Sequence, residues 1–141
     1  MVEREVIIRI FTNLDEYLRD LEELKKTSTL QDFITNKVIR RYAERTLHLA
    51  VEACLDLAQH IISYQGFREP LDNKDCFQVL YEEGITSQSL ADRLKKMTQF
   101  RNVVVHDYIK IDPEIVFAII QKDLGDITAF IKAIKEKYLP E

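Results

Sequence analysis

Three features of the 141-residue sequence predict an all-α fold, an antiparallel bundle of about four long helices plus a short one. Only three glycines and three prolines are present, too few to punctuate the turns of a sandwich, a barrel or a doubly wound sheet. Apolar residues recur in steps of three and four over long stretches, the period of a helix face. With 46% hydrophobic and 31% charged residues, the composition is that of one globular domain covering residues 1–141.

The first helix is expected over residues 2–26, where Ile7, Ile10, Leu14, Tyr17, Leu21 and Leu24 line one stripe and charged residues fill the other face. Thr29 with Asp32 has capping-box spacing and starts a second helix. That helix carries Ile39, Ala43, Leu47, Ala50, Cys54, Leu57 and Ile61, with no interior Gly or Pro from Leu30 to Ser63. At 1.5 Å per residue it would be about 50 Å long. A compact chain of this size has a radius of gyration of about 14 Å, so the helix must kink or be covered by a partner subunit. Residues 64–75, with Gly66, Pro70 and Asp72-Asn73, read as the main loop, and Cys76 to Tyr81 as a short helix stopped by Gly84. Thr86 or Ser87 can cap the next helix, whose Leu90, Leu94 and Met97 run up to Phe100-Arg101. Asp112-Pro113-Glu114 combines an N-cap, a proline at the first helical position and an acid in the first turn, and opens a last helix reaching about Tyr138.

Charge and cysteine usage narrow the function classes. Twenty Lys+Arg against 24 Asp+Glu give a formal charge of −4, the wrong sign for a broad basic nucleic-acid face, so any RNA site must be local and DNA binding is not expected. Cys54 and Cys76 lack CxxC or Cys/His spacing and read as buried thiols rather than a disulfide or a zinc site. The first 26 residues are charged throughout, and no apolar run is long enough to span a membrane. A soluble, cytoplasmic protein without a membrane partner is expected.

The chemistry concentrates in Arg101-Asn102-Val103-Val104-Val105-His106-Asp107-Tyr108. On an unbroken helix Arg101 and His106 would point about 140° apart, so they converge only if the helix ends or bends. Three successive valines lower helix propensity there, and the Asp112 cap demands an interruption, so a bend is expected. A guanidinium forks onto a phosphate, and an imidazole titrates near neutral pH, a pairing suited to phosphodiester chemistry. RNA cleavage by its own 2'-hydroxyl needs no metal, but it needs one group to take a proton and another to give one, and the segment holds a single histidine. A two-fold homodimer would place two side by side. Lys95 and Lys96, just before the motif, are candidates for steering a phosphate. His48 and His60 are read as lacking a second partner at i+4 that would make a metal pair, hence as structural; Arg40, Arg41 and Arg45 with Glu44 and Glu52 read as a solvated helix face.

Arg101, His106 and Tyr108 also spell R-x4-H-x-Y. With the stretch from Arg41 to Ala58 and that from Met97 to Tyr108, they make the sequence resemble the HEPN superfamily, specifically its HepT-like toxins. The resemblance implies an all-helical homodimeric endoribonuclease toxin, independent of metal and cofactor, of a type VII-like toxin-antitoxin pair. Its partners would be RNA and a minimal nucleotidyltransferase antitoxin. His106 would be the acid/base residue, Arg101 the phosphate clamp, Asn102 an orienting polar group and Tyr108 the acceptor of AMP. Phosphates added two residues from His106 would exclude an RNA phosphate by charge and bulk. Two other classes remain open at this point: a non-catalytic helical partner of the nucleotidyltransferase, and a nucleotide-binding accessory protein using Arg101.

Overall fold

The computed structural model describes residues 3–105 and 112–139, with side chains at 3–100 and 112–139. Among the described residues there are seven helices and no strand: α1 (Arg4–Thr27), α2 (Leu30–Thr35), α3 (Lys37–Gln65), α4 (Asn73–Glu82), α5 (Gln88–Val105), α6 (Pro113–Lys122) and α7 (Leu124–Tyr138). The all-α reading holds, but two of the expected helices are each broken in two.

The first break is at Asn36. Its side-chain oxygen accepts the N–H groups of Val38 and Ile39 at 3.0 and 3.2 Å, capping α3, while its own N–H closes α2 on the Asp32 carbonyl. The expected box does start α2: Asp32 N–H donates to Thr29 Oγ1 at 3.1 Å, and Thr29 N–H to Asp32 Oδ2 at 2.9 Å. Arg40 then donates to the Phe33 and Ile34 carbonyls, both at 3.1 Å, and satisfies the end of the short helix. The second break is at Asp123, which separates α6 from α7 just before Gly125, a poor helix former.

Other boundaries shift by less. Asp72 caps α4 by accepting the Asp75 N–H at 2.8 Å, so that helix starts at Asn73 and the loop before it is shorter than expected. Gly66 and Gly84 follow α3 and α4 with φ of 71° and 77°, the left-handed conformation that stops a helix. Ser87 Oγ accepts the Leu90 N–H at 3.1 Å, which makes Ser87 the residue that starts α5. Helix α5 does not stop at Phe100-Arg101; it continues through the three valines to Val105, their propensity overridden by context. The expected interruption therefore does not occur within 101–105.

The described buried residues form one cluster. Helix α3 contributes Leu47, Leu55, Leu57 and Ile61, each at most 1% exposed, and packs against α1, α2, α4, α5 and α6. Phe77 of α4 meets Phe130 of α7 edge to face at 5.6 Å, and Phe33 of α2 meets Phe117 of α6 likewise at 5.3 Å. Cys54 and Cys76 are buried and unpaired, and burial pushes the Cys54 thiol up to about 12. None of the described helices is long and apolar enough to cross a membrane.

Candidate active site

Helix α5 carries the first half of the motif. Leu90, Ala91, Leu94, Met97 and Thr98 are buried along it, and Thr98 Oγ1 donates to the Lys95 carbonyl at 2.7 Å. Its outer side is tied to two neighbours. Arg93 Nε donates to Asp126 of α7 at 2.7 Å, and Lys95 Nζ donates to Gln78 Oε1 of α4. These ties fix the azimuth of the helix, and with it the positions of residues 101 and 102. Position 101 lies seven residues beyond Leu94 and eleven beyond Leu90, on the register of the buried stripe. Position 102 lies seven beyond Lys95, on the register of the α4-facing side.

His106 and Tyr108 lie outside the described residues, as does Asp107. The backbone resumes at Asp112, whose Oδ1 accepts the Glu114 N–H at 2.9 Å, and Pro113 opens α6 as the sequence predicted. Val116 and Ile120, both fully buried, anchor that helix. Residues 106–111 thus lie between α5, whose described buried residues run to Phe100, and α6, anchored by Val116 and Ile120.

The candidate substrate lysines differ from each other. Lys95 is half-buried, bonded to Gln78 and 3.5 Å from Asp92, whereas Lys96 is exposed. Both line a groove between α4 and α5. On α3, Glu44, His48, Glu52 and Asp56 follow one another at intervals of four, on one slowly turning stripe. His48 Nε2 lies 3.8 Å from Glu52 Oε1, with the two side chains 12% and 33% exposed. Glu44, Glu52 and Arg40 are half-buried, and Arg40 is bonded to the end of α2, so the expected solvated face is correct for Arg41 and Arg45 but not for these three. Sequence periodicity marked Glu44 and Glu52 only as polar, because burial at a polar position depends on what packs over it.

A second charged cluster runs along α4, from Asp75 in its first turn to Glu82 at its end. Arg68 donates to Asp75 Oδ2 and Oδ1 at 2.7 and 2.9 Å and to Glu82 Oε1 and Oε2 at 2.9 and 3.2 Å. The Arg68 guanidinium, helped by the Leu71 N–H at 2.9 Å, holds the Asp75 carboxyl down at about 2. Glu82 is lowered as well, chiefly by its bonds to Arg68.

The sequence profile of the ribonuclease HepT-like family matches residues 14–134, most of the chain and the whole of the site segment. The chain belongs to the ribonuclease HepT-like family. Among HepT relatives, the mRNA nuclease HepT of Shewanella oneidensis is 33% identical over 129 residues, covering 92% of this chain and 90% of that protein. The tRNA nuclease HepT of Aphanizomenon flos-aquae is 30% identical over 127 residues, covering 89% and 86%. The same fold is found in a solved complex of tri-AMPylated Shewanella oneidensis HEPN toxin with its MNT antitoxin. The matching chain there has a TM-score of 0.86 at 28% identity, over 95% of this chain and 99% of that one. The HepT-like assignment therefore extends over the full bundle, including the helices on both sides of the motif.

Proposed function

We propose that the protein is the endoribonuclease toxin of a toxin-antitoxin pair, acting without a metal and silenced by AMP transfer to Tyr108 from a nucleotidyltransferase antitoxin. The observation that carries this reading is the coincidence of Arg101, His106 and Tyr108 in their R-x4-H-x-Y spacing with chain-long similarity to two HepT nucleases of RNA. The AMPylated toxin in complex with its antitoxin supports the same mode of silencing here.

In the reaction, the 2'-oxygen of one ribose attacks the adjacent phosphorus while the bond from phosphorus to the 5'-oxygen breaks. One imidazole takes the 2'-hydroxyl proton, and a second, protonated imidazole gives its proton to the leaving 5'-oxygen. The products are a 2',3'-cyclic phosphate and a 5'-hydroxyl. Arg101 clamps the phosphate as its charge grows, Asn102 orients a non-bridging oxygen, and Lys95 and Lys96 steer the neighbouring backbone. One chain supplies one motif histidine, so the site is completed by His106 of a second copy in a homodimer. The shape of the chain supports this assembly: α3 alone has 29 residues, about 43 Å at 1.5 Å each, and its first turns leave Val38 76% and Tyr42 45% exposed.

Cleavage by purified His106→Ala tests the reading. Its rate on RNA is expected to fall about 10³-fold or more with the helical circular dichroism retained. A His106→Ala protein that cuts RNA as fast as the parent removes His106 as the acid/base residue. A protein that stays monomeric at micromolar concentration while active removes the composite site.

A further inference from the structure

The groove between α4 and α5 is lined by Asp72, Lys74, Asp75 and Gln78 on one side and by Lys95, Lys96 and Gln99 on the other, with a volume of about 520 Å³. We infer that this groove is a track for the phosphates of a single RNA strand running to the active site, with Lys74 as a contact that the motif does not contain. The inference rests on the ribonuclease reading above and deepens it.

Four observations carry it. First, the groove points at the motif. Lys95, Gln99 and position 102 follow each other at intervals of four and three on α5, a line of about 10 Å at 1.5 Å per residue that ends at Asn102 of the candidate site. Second, three lysines outnumber the two carboxylates in the lining, and each carboxylate already accepts hydrogen bonds from other groups. Asp75 is engaged by Arg68 and the Leu71 N–H, and Asp72 accepts the Asp75 N–H as the cap of α4. Third, Lys74 stands at the second position of α4, where the helix dipole disfavours a cation. The start of α4 is already capped by the Asp72 carboxylate, so an anion in the groove would be met by the Lys74 ammonium. Fourth, the exposed Gln99 adds an amide that donates to a phosphate oxygen without regard to base, while Gln78, bonded to Glu82 and Lys95, forms the wall beside it. Leu71, 89% exposed at the edge of the groove, offers an apolar surface to a base.

A track of this kind lets a chain with net charge −4 meet a polyanion locally, at a groove where three lysines face two aspartates. It also separates the roles of the two α5 lysines. Lys95, held by Gln78 and Asp92, sets the position of the channel wall, and the half-buried Lys74 and exposed Lys96 supply the remaining charge.

The test is the salt dependence of binding by the full-length His106→Ala protein to a labelled single-stranded RNA of about 12 nucleotides, long enough to fill both site and groove. Lys74→Gln in that background is expected to weaken binding about three- to tenfold at low salt. It should also lower the slope of log affinity against log salt by about 0.7, the signature of one lost phosphate contact on a single strand. Lys74→Arg, which keeps the charge, is expected to restore both. If the parent cleaves RNA but Lys74→Gln leaves affinity and slope unchanged, the groove is not a phosphate track and the ribonuclease reading stands. If the parent neither binds nor cleaves RNA, both fall. If Lys74→Gln weakens binding of the antitoxin and not of RNA, the groove is a protein-docking surface and the inference is overturned.

Discussion

Two arginine-bearing junctions of the bundle invite comparison, the α3–α4 loop with Arg68 and the end of α5 with Arg101. Arg68 finds acids at positions 75 and 82, one and three helical turns into α4, and spends its guanidinium on four hydrogen bonds to them. Arg101 has Met97, Thr98, Val104 and Val105 at its three- and four-residue neighbours, none of them acidic. The first junction closes its charge on itself and fixes a loop. The second is given a cation with no carboxylate within one turn of it along its own helix, in a segment that also holds a carboxylate at Asp107, an imidazole and a phenol. The acids that close on Arg68 mark it as a structural residue, and Arg101 has no such acids at helical spacing.

The largest effect that would sharpen this contrast is on rate. Arg101→Ala is expected to lose about 10³-fold in RNA cleavage, the scale of removing a donor aimed at developing charge, with the melting temperature nearly unchanged because alanine suits a helix. Loss of fold instead of rate would place Arg101 with Arg68 as a structural residue. Next is the modification. Intact-mass analysis after incubation with a cognate antitoxin and ATP is expected to show added AMP on the parent and none on Tyr108→Phe, while that variant keeps RNase activity within about threefold, since only one oxygen is removed from a residue outside the proton-transfer pair. Labelling that persists in Tyr108→Phe moves the acceptor to another tyrosine such as Tyr42 or Tyr64.

Effects at the other junction are smaller and are read as stability. Arg68→Ala is expected to lower the melting temperature by a few degrees, as befits an exposed ion-pair network, and to leave cleavage within about twofold. The acid limb follows from the same contacts. Asp75 and Glu82 are held below their ordinary values by Arg68, so their contribution is complete above the unfolded carboxylate range near 4 and fades as pH falls toward about 2. Urea midpoints measured from pH 5 to 2.5 are expected to fall less steeply in Arg68→Ala than in the parent. Parallel slopes would show that the pair adds nothing to folding.

Much of this architecture was legible in the residues themselves. The Thr29 box, the Asp112-Pro113 start and the two stop glycines each act through a neighbour a few positions away, so sequence spacing reveals them. The break at Asp123 was hidden because the apolar stripe keeps its three-and-four step across it, with Ile120, Leu124 and Ile127 all buried; the break at Asn36 was hidden because no Gly or Pro marks it. Periodicity reports which face is covered, not whether the backbone is continuous beneath it. The motif was legible because its members are close in sequence. The groove was not, since Lys74 and Lys95 are brought together only by the packing of α4 on α5.

The central claim, RNA cleavage by proton transfer at paired His106 residues with no metal, is met most directly by analysing product ends after digestion of a defined RNA in excess EDTA. The account predicts undiminished cleavage with 2',3'-cyclic phosphate on one fragment and a 5'-hydroxyl on the other. Activity that vanishes with the chelator and returns with a divalent cation, or fragments that carry 5'-phosphates, would contradict it.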